Sequence, residues 1–175
     1  MDFKKGFTLI ETIVAIFILT IGILGSYLVF YNLYNKSGDS SYKLTASYLA
    51  QEGIEIIRNM RDNNWVKNPG VNWMDGIIIG TNNCAVGCDF EVDYRTGTAG
   101  QVVSLRPYGT EGNYLNIDSS GMYLYDTNYP DTIFKRKITI TEESQQTIKV
   151  SSEVFWNYRG KDFSVKIEEY LYDWY

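Results

Sequence analysis

The chain has 175 residues, enough for one domain of ordinary size with an appendage and too few for two separate cores. Its 16 Lys and Arg stand against 21 Asp and Glu, and the net charge of -5 repels phosphate backbones, so direct nucleic-acid binding is not expected. It holds 0 His and 2 Cys, which removes the usual triads, imidazole acid-base chemistry and the common zinc sites; no catalysis, cofactor or metal is expected, and 15 Tyr, 8 Phe and 4 Trp favour β-structure for the bulk.

Residues 1–6 read Met-Asp-Phe-Lys-Lys-Gly, a short head with two cations. Phe7-Thr8-Leu9-Ile10-Glu11-Thr12 then leads into an apolar run over 13–30 whose polar or amphipathic breaks are Thr20, Ser26 and Tyr27. From Phe7 to Phe30 a helix would be about 36 Å long at about 1.5 Å per residue, enough to cross a hydrocarbon core of about 30 Å. Lys4 and Lys5 place its N-terminal side in the cytoplasm and send the remaining chain outside. A secretory signal needs a small-x-small cleavage site after its apolar region, and Tyr31-Asn32-Leu33-Tyr34 is not one. A plain single-pass anchor fits the length but leaves Glu11 unexplained, because an ionised carboxylate inside an apolar segment is costly without a partner.

Lys4-Lys5-Gly6-Phe7-Thr8-Leu9-Ile10-Glu11 resembles the prepilin motif of type IV pilins and type II secretion pseudopilins: a basic leader ending in Gly, then Phe-Thr-Leu-Ile-Glu, then an unbroken apolar helix. The stretch through Ile21-Gly22-Ile23-Leu24-Gly25 further resembles PilV-type minor pilins. The resemblance implies cleavage after Gly6 by a prepilin peptidase, N-methylation of Phe7, and a role for Glu11 in neutralising the terminal ammonium of a neighbouring subunit during assembly. Such a carboxylate is tolerated only where that ammonium meets it, so Glu11 would report axial register between subunits; the alternative is a carboxylate snorkelling to the membrane face. Gly22 and Gly25 either let the helix unwind locally on passing from bilayer to filament, as the resemblance suggests, or serve close packing of helices. Implied partners are other pilin subunits in a homo- or hetero-filament, the peptidase, an inner-membrane assembly platform, and the membrane before assembly. The implied location is the cytoplasmic membrane as a single-pass precursor with its head outside, then a cell-surface or periplasmic filament. Removing residues 1–6 leaves 14 cations against 20 anions, a net -6.

Beyond the apolar run, 31–35 is aromatic and amidic, suited to a membrane interface. The polar stretch 36–41 is expected to interrupt or cap the helix, with Ser40 or Ser41 as N-cap. Over 42–62, Ala46, Leu49, Gly53, Ile56, Ile57 and Met60 recur at helical spacing opposite Gln51, Glu55 and Arg58. The similar pilins have one long helix whose second half packs on a sheet, here 7–62 and about 84 Å. Residues 63–100 read as a connecting region. Within it Cys84 and Cys88 close a tight loop that an extracytoplasmic location allows to oxidise. A metal site lacks ligands there, and a thioredoxin-like motif has a different spacing.

Short strands are expected at 102–105, 114–117 and 122–125, the last two joined by a turn at 118–121. Phe134, Ile138 and Ile140 alternate with Lys135, Lys137 and Thr139; Ile148, Val150, Val154 and Trp156 alternate with Lys149, Ser151 and Glu153; Phe163, Val165 and Ile167 alternate with Ser164, Lys166 and Glu168. These predict three antiparallel strands joined by hairpins, with Gly160 available for positive φ. After Glu169 the apolar register moves to Tyr170, Tyr172 and Trp174, which predicts a bulge. Glu142-Glu143 and Glu168-Glu169 read as solvated charge, and the acidic loops at 118–121 and 126–131 lack the spacing of a calcium loop.

The expectation is an α+β, pilin-like chain: leader 1–6, helix 7–62 with a transmembrane half at 7–30 and an amphipathic half at 42–62, and a β-rich head at 63–175. A membrane-tethered β-rich binding domain that does not polymerise is the other reading.

Overall fold

The structure, a computed structural model, describes residues 6, 8–67, 72–78, 86–97, 105–110 and 112–174, the side chains of 32, 35–39 and 67 excepted. One helix, α1 (Leu9–Lys67), carries 59 residues. It is followed by β1 (Cys88–Glu91), β2 (Arg106–Pro107), β3 (Tyr114–Ile117), β4 (Tyr123–Leu124), β5 (Asp131–Ser144), β6 (Thr147–Tyr158) and β7 (Lys161–Tyr172). This is the α+β pilin-like arrangement anticipated from the sequence.

The polar stretch 36–41 does not interrupt the helix as expected, and Ser40 and Ser41 are interior helical residues. No proline lies between residues 9 and 67, so no backbone donor is missing, and a Gly or Ser costs only about 1 kcal/mol or less against Ala. Strong helix formers on both sides carry the chain through.

The chain divides into two compact units, Met1–Tyr42 and Lys43–Tyr175. In the first, none of the 23 residues over Leu9–Tyr31, whose mean hydropathy is 2.6, is buried.

The second unit is a seven-stranded antiparallel sheet with the remainder of α1 on one face. β5 pairs along one edge with β6, which pairs with β7. Along its other edge, β5 pairs with β3 near its start and with β1 further on; β4 and β2 extend these two branches. Alternation sends Phe134, Ile138 and Ile140 of β5 and Ile148, Val150, Val154 and Trp156 of β6 to the core, all buried. From α1, Ala46, Leu49, Ala50, Ile54 and Ile57 are buried, and Trp73 and Ile77 join them from the segment after the helix. Each fully buried Ile among these contributes about 1.5–3 kcal/mol.

Gly53 makes the close approach of helix and sheet possible. A Cβ there would lie 2.6 Å from Ser152 Oγ and 2.7 Å from Ile138 Cδ1. The periodic stripe through 46–60 is therefore a core face.

The bulge expected after Glu169 is absent: β6 and β7 pair without a register shift from Tyr158↔Lys161 to Thr147↔Tyr172. Leu171 is the buried residue, while Tyr170 and Tyr172 are exposed on the opposite face. Register irregularities lie instead between Glu142 and Ser144 of β5 and between Tyr114 and Asn116 of β3. Residues 102–104 of the strand expected at 102–105 lie outside the described residues; Leu105 is buried and β2 begins at Arg106.

Candidate assembly site

Thr8 starts α1. Its Oγ1 accepts from the backbone N–H of Glu11 at 3.3 Å, and its carbonyl accepts from Thr12 N at 3.2 Å. The sequence analysis passed over this cap, although Thr8-Leu9-Ile10-Glu11 has the Thr-x-x-Glu spacing of a capping box, which was the available signal. The cap fixes Glu11 in the first turn, where the positive end of the helix dipole favours a carboxylate by about 0.3–1 kcal/mol.

Glu11 is exposed, and among the described residues it makes no ion pair. It lines a shallow groove along one helix face with Ile10, Val14, Ala15 and Ile18. The large apolar side chains around it are 49% exposed at the least, at Val14, and 78% at the most, at Leu9. A lone carboxylate in an uncovered apolar face is complemented by another apolar helix that brings a cation to the depth of Glu11. Lipid covers the rest of such a face equally well.

Gly22 and Gly25 are helical, and nothing lies within 4 Å of a Cβ built on either. Thr20 Oγ1 donates to Ile16 O at 2.7 Å and Ser26 Oγ to Gly22 O at 2.9 Å, so the hydroxyls here are satisfied along the helix itself. Gly6 has open space around it. Phe7 and Cys84 lie outside the described residues. Cys88 opens β1 in the second unit and is disulfide-bonded.

Two charged residues on the inner face of the sheet meet α1. Arg136, 0% exposed, donates through Nη1 to Leu49 O at 2.9 Å and to Glu52 Oε2 at 2.8 Å, and through Nη2 to Val92 O. Glu169 accepts from Arg58 Nη2 at 2.6 Å, so it is a paired charge rather than the solvated one expected, whereas Glu168 on the outer face meets Lys166 at 2.8 Å. Sequence reading missed Arg136, which shares the parity of Phe134 and Ile138.

A second buried group is Asp93, which accepts from Arg95 Nη2 at 2.8 Å, Arg95 N at 3.0 Å and Tyr125 N at 3.1 Å. Burial works to raise its pKa, but the Arg95 guanidinium and the two backbone donors outweigh it and hold the carboxyl below its ordinary value. The acidic loops bind their own turns: Asp118 Oδ1 accepts from Ser120 N and Met122 N, and Asp126 Oδ1 from Asn128 N and Nδ2. Among the described residues no three acidic, Cys or His side chains converge on a point.

The model of the prokaryotic N-terminal methylation motif matches residues 1–27. This is the prepilin-type signal of type IV pilins and pseudopilins; it supports a pilin-like precursor processed by prepilin peptidase, and with the apolar N-terminal helix it fits a membrane-anchored form. The motif points to a structural protein. No curated protein and no solved structure matches the chain.

Proposed function

We propose that this chain is a subunit of a type IV pilus or a type II secretion-like filament, a minor pilin or pseudopilin of the PilV type. Cleavage between Gly6 and Phe7 gives Phe7 a free amine, and methylation keeps its positive charge while adding apolar surface. Residues 7–30 first hold the precursor in the cytoplasmic membrane with its head outside. After extraction by the assembly platform they line the filament core, where Glu11 meets the amine of a neighbour and fixes the axial register. Gly22 and Gly25, with no neighbour of their own, are where the helix yields when its surroundings change from lipid to protein. Cys84 pairs with Cys88 to staple the loop before β1.

The observation that carries this reading is the uncovered helix behind the methylation motif: a 23-residue stretch of mean hydropathy 2.6, none of it buried, with one carboxylate within it. Mass measurement on the protein from its native host tests it. The expected species begins at methylated Phe7, while a chain that still carries residues 1–6 is the tethered binding domain and not a filament subunit. The second arm is Glu11→Ala, expected to enter the membrane normally and to lower incorporation into filaments at least tenfold; unchanged incorporation refutes the role given to Glu11.

A further inference from the structure

We propose that the outer edge of β7 docks the β7 of a second copy of this chain, paired antiparallel about a two-fold axis through Ile167. Among the described residues β7 pairs with β6 alone, along 12 residues without a register shift. The other sheet edges, β2 and β4, are two residues each.

The hairpin fixes which backbone groups face outward. Arg159 and Gly160 form a two-residue turn with φ of 52° and 73°, so Tyr158 and Lys161 are a hydrogen-bonded pair. Alternation from there turns the N–H and C=O of Lys161, Phe163, Val165 and Ile167 toward β6, and those of Asp162, Ser164, Lys166, Glu168, Tyr170 and Tyr172 toward the free edge. Proteins commonly blunt an edge of this length with a proline, a bulge, an inward-pointing charge or edge lysines. β7 has neither of the first two, its inward Glu169 is neutralised by Arg58 at 2.6 Å, and its edge Lys166 is neutralised by Glu168 at 2.8 Å.

The charges choose the occupant and the register. With Ile167 opposite its own copy, outward residues pair with outward residues, Lys166 faces Glu168 twice and Lys161 faces Asp173. Phe163 then faces Leu171. Moving the axis to Lys166 opposes two lysines, moving it to Glu168 opposes two glutamates, and either arrangement is repulsive. Of these three registers, the one centred on Ile167 sets opposite charges across the seam.

Arg58 on Glu169, and Trp65 against Trp174 with centroids 4.8 Å apart, place the last turns of α1 over β7. A two-fold normal to the sheet runs that helical segment antiparallel between copies. The edge pairing does not rest on the filament reading.

The test uses the full chain in detergent micelles, with sedimentation velocity over a dilution series. Wild type is expected to dimerise reversibly. Lys166→Glu and Glu168→Lys are each expected to weaken the dimer about tenfold, and the double swap K166E/E168K to restore it. A wild type that stays monomeric overturns the proposal. A dimer equally tight in all four proteins also overturns it, because association then runs through another surface such as the apolar helix. Register is read by oxidation: Ile167→Cys is expected to give a disulfide-linked dimer and Val165→Cys alone to give none, so equal yields refute the axis.

Discussion

Glu52 supplies the countercharge to a guanidinium from which water is excluded. Arg136 is 0% exposed and Glu52 30%, and their 2.8 Å contact ties α1 to β5. Removing one partner of such a pair leaves a charge in a medium that solvates it poorly, so Glu52→Gln is expected to lower stability by about 3 kcal/mol. Adding Arg136→Met, which replaces the cation with an apolar side chain of similar length, is expected to recover most of that loss. Thermal unfolding in detergent followed by tryptophan fluorescence reads both, and a double variant less stable than Glu52→Gln alone contradicts the account. Strand parity carried the signal for the inner-face placement of Arg136, between Phe134 and Ile138, and of Glu169, between Ile167 and Leu171, but the sequence reading passed over the first and took the second for solvated charge. The identity of their partners was not legible. Glu52 and Arg58 meet them only because of the angle at which α1 crosses the sheet, which depends on close approach at Gly53.

The β6–β7 hairpin rests on a turn that L side chains tolerate poorly. Gly160 has φ of 73°, in the left-handed region where a Cβ meets the following carbonyl. Gly160→Ala is expected to cost about 1–2 kcal/mol in chemical denaturation, although open space surrounds the position; a neutral result would mean that the turn relaxes. The two long hairpins and the amphipathic helical face were visible as periodicity, because half-buried strands and one-sided helices each leave a repeat in the sequence, and the β3–β4 turn was visible in the composition of residues 118–121. The false bulge came from counting aromatic residues as core. Tyr170 and Tyr172 stand on the exposed face around the buried Leu171, so the original alternation continues to the end of β7. Polarity likewise misled at 36–41, where helical backbone bonds persist through residues of modest propensity.

At the scale of the whole molecule, the two units answer to different surroundings. The first is apolar and uncovered, so its fate follows lipid or neighbouring helices; the second has its own core, and its stability follows solution conditions. Asp93 links that stability to pH. Its carboxylate joins the turn after β1 to Tyr125, and Arg95 extends the link through Tyr125 O at 3.1 Å and Asp126 at 3.7 Å. Because folding holds the pKa of Asp93 below its unfolded value, the unfolded chain takes up the proton more readily. The stabilisation is therefore complete above about pH 5, begins to fade near the unfolded value of about 4, and is lost as pH falls through the lower folded value. Asp93→Asn removes the charge at every pH and is expected to lower stability by about 2 kcal/mol at neutrality. The gap between wild type and Asp93→Asn should then narrow as pH drops below about 4. Unfolding midpoints of both proteins from pH 7 to pH 3 measure it: converging curves support Asp93 as the linked group, and parallel curves assign the acid sensitivity of the head to other carboxylates.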